Sequence, residues 1–178
     1  MSELQTKLNE VVASLGTAKF DVPTVLVSDI IARQTDDSLN PVVLIDVRSE
    51  EERISTIKGS ITRAEFEANA EKYADKECVC FCTVGYISGA VACELRRAGH
   101  SNVKNMGDGA LLGYTLAQTT AGITKPLVDM NGEETNVVHT FMPDLAPLAG
   151  EGMVGKSFED PGAVLAEANK NITAKLGL

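Results

Sequence analysis

Cations are scarce in this 178-residue chain: 16 lysines and arginines stand against 25 aspartates and glutamates, a net charge of -9. A broad basic surface for nucleic acid or an anionic membrane is thereby excluded, because phosphates are held by clustered Lys and Arg and no such cluster occurs. Long apolar runs are missing too. None approaches the roughly 18 residues of a spanning helix, and the first residues lack the basic flank and apolar core of a secretory leader. The chain therefore reads as soluble and intracellular, with cytoplasm or organelle lumen left open. Histidine is limited to His100 and His139, and cysteine to Cys78, Cys80, Cys82 and Cys93. The thiols are not spaced as a secreted disulfide framework, so reduced cysteines are expected. The C-x-C-x-C run also lacks zinc-ligand spacing, and no metal is expected.

What is present is an ordinary globular composition, 44% apolar and 23% charged, enough for one domain with its own core. The stripe Leu4, Leu8, Val11, Val12 and Leu15, with Ser2 and Gln5 spaced as a capping box and Gly16 as a stop, predicts an amphipathic helix outside the central fold. Such a stripe either completes the core or meets a protein partner. A short extended piece, 24–27, leads to a helix expected to be capped by Ser28. "VVLIDVR" (42–48) and "ECVCF" (77–81) are apolar runs of the kind buried on both faces of a parallel sheet. A helix from Thr62, another from about Gly89 to Ala98, the strand "NVKNM" and the helix "ALLGYTLAQ" complete an alternation that implies an α/β domain. Asn131-Gly132 marks a hairpin. The Pro- and Gly-rich stretch from Met142 reads as an irregular arm, and Asp160 with Pro161 starts a final helix to Leu176.

Strand alternation puts Cys78, Cys80 and Cys82 on one side and Val79 and Phe81 on the other. Cys78 and Cys80 read as small buried hydrophobes. Cys82 stands where the strand ends and a loop curls into a helix start, with Gly85 allowing the curl. Backbone N–H groups in that setting converge on one point and favour a thiolate. On the residues alone Cys82 is either a reactive thiol or a buried structural cysteine. Asp46 and Arg48, at a strand end, read as makers of structural hydrogen bonds that fix neighbouring turns. His100 reads as a surface turn residue.

The ordered set "LIDVR" (44–48), "KGSI" (58–61), "CTVGYIS" (82–88), "LRRAGHSNVKNMGDGALLGYT" and "PLVDMNGEETNVVH" resembles the single-domain rhodanese, or thiosulfate sulfurtransferase-like, family. The likeness covers roughly residues 22 to 142, leaving 1–21 as an N-terminal helical extension and 143–178 as a C-terminal arm and helix. It implies a rhodanese-like α/β fold with a mostly parallel sheet flanked by helices. It also implies that Cys82 carries sulfane sulfur as a persulfide, with Thr83, Val84, Gly85, Tyr86, Ile87 and Ser88 forming the substrate-binding loop. The donor would be a small sulfur compound or protein-borne sulfane sulfur, the acceptor a thiol, and no cofactor is needed. His139 matches the family hairpin in a structural role.

Several departures from the family pattern imply altered or reduced chemistry: Thr56, Lys58 and Tyr114 stand where its histidine, proline and tryptophan would. The family loop usually reads C-x-x-G-x-R-S, and here Ile87 takes the arginine's place, removing a partner for an anionic donor. Weakened thiosulfate use is the expectation. Phosphatase relatives of the fold close a longer loop with arginine in C-x5-R, whereas this chain has Ser88 there, which disfavours phosphoryl transfer. The alternative from another class is a non-catalytic rhodanese module for docking or for redox or sulfide sensing.

Overall fold

The computed structural model describes residues 2–178. The first helix, α1 (Glu3–Ser14), begins where Ser2 Oγ accepts the Gln5 N–H at 3.1 Å, while the Gln5 side chain turns to Asn9 and leaves the reciprocal half of a capping box unmade. Strand β1 (Thr24–Val25) leads into α2 (Val27–Thr35). The cap of α2 is Leu26 rather than Ser28. The expected side-chain cap is replaced by a tertiary one: Asp108 Oδ2 accepts the Val27 N–H at 3.3 Å, satisfying one of the orphan donors at the helix start.

The chain continues through β2 (Val43–Asp46), β3 (Ser55–Thr56), β4 (Ile61–Thr62), α3 (Arg63–Ala68), β5 (Cys78–Phe81), α4 (Tyr86–Arg97), β6 (Val103–Met106) and α5 (Ala110–Thr120). Thr62 and Glu65 close a full capping box at α3. Five strands form the central sheet in the order β1-β6-β5-β2-β4, with every pairing parallel. β5 lies in the middle, which explains why both its faces are apolar. Val79 and Phe81 enter the core shared with α2 and α5, while Cys78 and Cys80 enter the opposite one with Phe66, Val91 and Leu95. His100, expected on the surface, is only partly exposed and packs edge-on against Phe66 with ring centroids 5.3 Å apart.

Beyond α5, β7 (Leu127–Asp129) and β8 (Glu134–Thr135) form the hairpin around Asn131-Gly132, and β3 joins them antiparallel. β9 (Val137–His139) pairs in parallel with β10 (Val154–Lys156), and α6 (Pro161–Leu176) follows, capped by Asp160. The stretch expected as an irregular arm is thus partly regular. Its 3-10 turn, 143–149, buries Leu145 and Leu148 in the main core, and that apolar anchoring orders it despite Pro147.

α1 does not stand outside the fold. Leu8 is fully buried in the main core and lies against Gly109, where an added Cβ would collide with its side chain. The reason lies in α5, which is apolar on all sides and needs cover on a face the sheet does not reach. Leu8→Ala is expected to lower stability by about 2–5 kcal/mol, measured by urea denaturation; a change within 0.5 kcal/mol of zero, roughly the range of surface substitutions, would place α1 outside the cooperative unit.

Candidate active site

Cys82 follows β5 immediately and is 4% exposed. Gly85 has φ 93°, and its Cβ, were there one, would approach the Met106 carbonyl oxygen at 3.1 Å. Only glycine combines that left-handed backbone with so close an approach. The turn starts α4 at Tyr86, three residues before the expected Gly89, and makes Ser88 its third residue. The Ser88 N–H, one of the donors a helix start leaves free, points back to Cys82 Sγ at 3.3 Å. No other loop amide is hydrogen-bonded to the sulfur among the described residues, so the expected convergence reduces to one donor. The loop is held from behind instead. Leu111 and Leu112 donate to the carbonyls of Cys82 and Thr83 at 3.2 and 3.1 Å, and Asn105 Nδ2 donates to the Gly85 carbonyl at 3.0 Å.

A cavity of about 330 Å³ opens over the sulfur. Cys82, Thr83, Val84, Tyr86 and Ile87 line it from the loop. Gly85 borders a different cavity behind the loop, and Ser88 is buried with its Oγ unpartnered among the described residues. The remaining lining comes from afar: Val11 and Leu15 of α1, Met142 and Leu145 after β9, and Leu165 of α6. Its lining holds the carboxylic residues Glu52 and Asp144 and neither lysine nor arginine. A smaller space of about 250 Å³ shares Cys82, Glu52, Ile87 and Phe141 with it and continues towards Val164 and Ala168 of α6.

Glu52 reaches this position through a buried ionic turn. Arg48 Nε and Nη2 donate to the two Asp46 carboxylate oxygens at 2.9 and 2.7 Å, and the guanidinium also donates to the carbonyls of Glu52 (3.1 Å) and Ser55 (2.6 Å). Thr56 Oγ1 adds a 2.7 Å bond to Asp46. Glu52 itself accepts from the backbone and hydroxyl of Ser49 at 3.1 and 2.9 Å. Asp46 and Arg48 therefore set the turn beside the thiol, and Arg48 borders the smaller space that shares Cys82.

Tyr86 joins three segments. Lys19 Nζ donates to its hydroxyl at 2.8 Å, and that hydroxyl donates to Asn169 Oδ1 of α6 at 2.8 Å. Lys175 and Arg97 fix the other end of α6, the former 3.4 Å from Glu94 and the latter bonded to the Leu176 carbonyl. Phe141, at the cavity edge, has φ 68°, uncommon for a bulky side chain. Its N–H donates to His139 Nδ1 at 3.2 Å, and both rings pack edge-on against Phe158. Burial first, and the charge of Arg48 second, hold the His139 imidazole below its ordinary pKa, consistent with an Nδ1 that accepts. Burial also pushes the Cys78 thiol up to about 11 and raises Cys80 further.

A central parallel sheet with a cysteine at the carboxyl end of its middle strand, followed at once by a glycine turn and a helix start, defines a thiol-loop α/β domain. The family described as "Rhodanese-like domain" matches residues 28–111, and this part of the chain is similar to it. The thiosulfate sulfurtransferase of Pseudomonas aeruginosa is similar in fold, with a TM-score of 0.50 and 18% identity, over 90% of this chain and 27% of that one. A rhodanese-related protein of Thermoplasma volcanium gives 0.43 and 20%, covering 60% and 97% of the two chains. Reduced CoADR-RHD of Bacillus anthracis gives 0.44 and 29%, covering 58% and 18%. This chain thus spans well under a third of the Pseudomonas and Bacillus proteins. No curated protein matches it. Among the described residues no helix is long and apolar enough to cross a membrane.

Proposed function

We propose that the protein is a sulfurtransferase that takes sulfane sulfur onto Cys82 as a persulfide and passes it to a thiol. The observation that carries this reading is the Cys82 sulfur itself, lying at a strand end with the Ser88 N–H 3.3 Å away and a cavity in front of it. The Cys82 thiolate attacks the outer sulfur of the donor, the donor S–S bond breaks, and the leaving group departs with the electron pair. An acceptor thiolate then attacks the outer sulfur and releases the Cys82 thiolate. The Ser88 N–H is a donor for whichever sulfur bears negative charge.

Thiosulfate suits this site poorly. Ile87 supplies no charge, and the nearby Glu52 and Asp144 carboxylates oppose a dianion. Ile87→Arg is expected to raise thiosulfate turnover about ten- to a hundredfold, the worth of one charge-assisted hydrogen bond. Sulfite release would measure it, and an unchanged rate would show that the missing cation is not what limits thiosulfate. The reading itself is tested by intact mass after exposure to inorganic polysulfide. If no sulfur is retained, the sulfurtransferase assignment fails. The 4% exposure of Cys82 supports a second reading, a docking or sensing module, whose mark would be a sulfur adduct that no thiol removes.

A further inference from the structure

We infer that the cavity over Cys82 selects the persulfide of a small apolar thiol, taken in its neutral R–S–SH form. This rests on the sulfurtransferase reading above and names its donor. Three observations lead to it. The walls facing the loop are carbon-rich and come from segments outside residues 28–111: Val11 and Leu15, Met142 and Leu145, and Leu165. An alkyl group fits against them, and each CH2 it buries adds favourable transfer free energy.

The second observation is charge. Glu52 and Asp144 are the carboxylic residues of the lining, and Arg48, which borders the adjoining space that shares Cys82, donates to Asp46, Ser55 and Glu52. An anion entering here loses water and meets two carboxylates, with the Ser88 N–H beside the sulfur as its donor. A persulfide equilibrates between R–S–S⁻ and R–S–SH, and the acidic, apolar lining favours the neutral form. That form is also the reactive one, because a thiolate attacks a neutral sulfur and is repelled by an anionic one. The third is size. A volume of about 330 Å³ is at the small end of the roughly 300–1,000 Å³ of ligand sites, which favours a short thiol over a coenzyme- or peptide-sized one.

The step balances as a displacement. Cys82–S⁻ attacks the terminal sulfur of R–S–SH, the Cys82 Sγ–S bond forms, the donor S–S bond breaks, and R–S⁻ leaves with its electron pair. The product is Cys82–S–SH, and the departing thiolate takes a proton from solvent.

The test compares persulfides of matched length, hexyl persulfide and the persulfide of mercaptohexanoate, each released in solution from an acylated precursor. Inorganic polysulfide is the third arm. The rate at which Cys82 gains one sulfur is read by intact mass. The hexyl donor is expected to load at least about tenfold faster than the carboxylate, a difference of about 1.4 kcal/mol. Leu165→Asp should erase that advantage, and exposed Asp144→Lys should speed the carboxylate donor. Equal rates, or a faster carboxylate, with polysulfide loading intact would overturn the donor inference and leave the sulfurtransferase reading standing. Loading from none of the three would bring both down.

Discussion

Cys82→Ser should abolish sulfur loading from every donor, a loss of at least a thousandfold, even though three other thiols remain. The reason is the state of those thiols. With the Cys78 pKa near 11, its thiolate fraction at pH 8 is on the order of one in a thousand, and only the thiolate attacks sulfur. Cys80 is shifted further in the same direction and is fully buried in the centre of the sheet. Cys93 is 6% exposed, packs with Phe20 and Ile172, and is not among the residues lining the cavity. The matching variant replaces Cys78, Cys80 and Cys93 with alanine and keeps Cys82. It should load sulfur at a rate close to that of the parent. Mass spectrometry of both proteins after polysulfide treatment gives the answer directly. Sulfur retained by the Cys82→Ser protein would move the chemistry to another thiol.

The largest stability effect is expected at Asp46. Its carboxylate holds the Arg48 guanidinium, whose side chain has no solvent exposure. Asp46→Ala would leave that charge buried and unpaired, a loss of about 3–5 kcal/mol, or about 10 °C in Tm for a chain of this length. Arg48→Met should be similarly costly, because it leaves Asp46 with Thr56 alone among its side-chain partners. The double substitution should cost clearly less than the sum, since removing both charges removes the unpaired one. Urea unfolding of the four proteins completes the cycle, and strict additivity would show that the pair does not act as a unit. Activity should fall with the single variants as well, because the same guanidinium holds the carbonyls of Glu52 and Ser55 on the turn beside Cys82.

The sheet was readable because its middle strands advertise themselves: 78–81 and 43–46 are apolar runs without alternation, separated by helical stretches. Cys82 was readable from its place at the end of such a run. The helix start was harder, since Gly85 does not reveal from sequence that its left-handed turn begins α4 at once and leaves a single amide on the sulfur. The cavity walls were largely hidden. Val11 and Leu15 are visible as an apolar stripe, but periodicity gives a face and no partner for it. Glu52 lies in the charged run "SEEER", which looks solvated; it is 5% exposed because it accepts from Ser49. Leu145 lies between prolines, where local signals argue for a loop and only tertiary burial supplies order. Phe141 at φ 68° has no local signature at all. Packing against Phe158 and the bond to His139 hold it there.

The bond between Tyr86 and Asn169 joins residues 83 positions apart, and this separation has a meaning in time. During synthesis at about 5–20 residues per second, Asn169 emerges roughly 4–17 s after Tyr86. Contacts of such high sequence separation form late, whereas β2, β5 and α4 are complete long before. For that interval the newborn domain carries Cys82 without the Leu165 wall of its cavity and without the Asn169 latch. The finished protein presents a shielded sulfur, but its nascent form presents an open one, so oxidants and electrophiles have their best access to Cys82 before the polypeptide is complete.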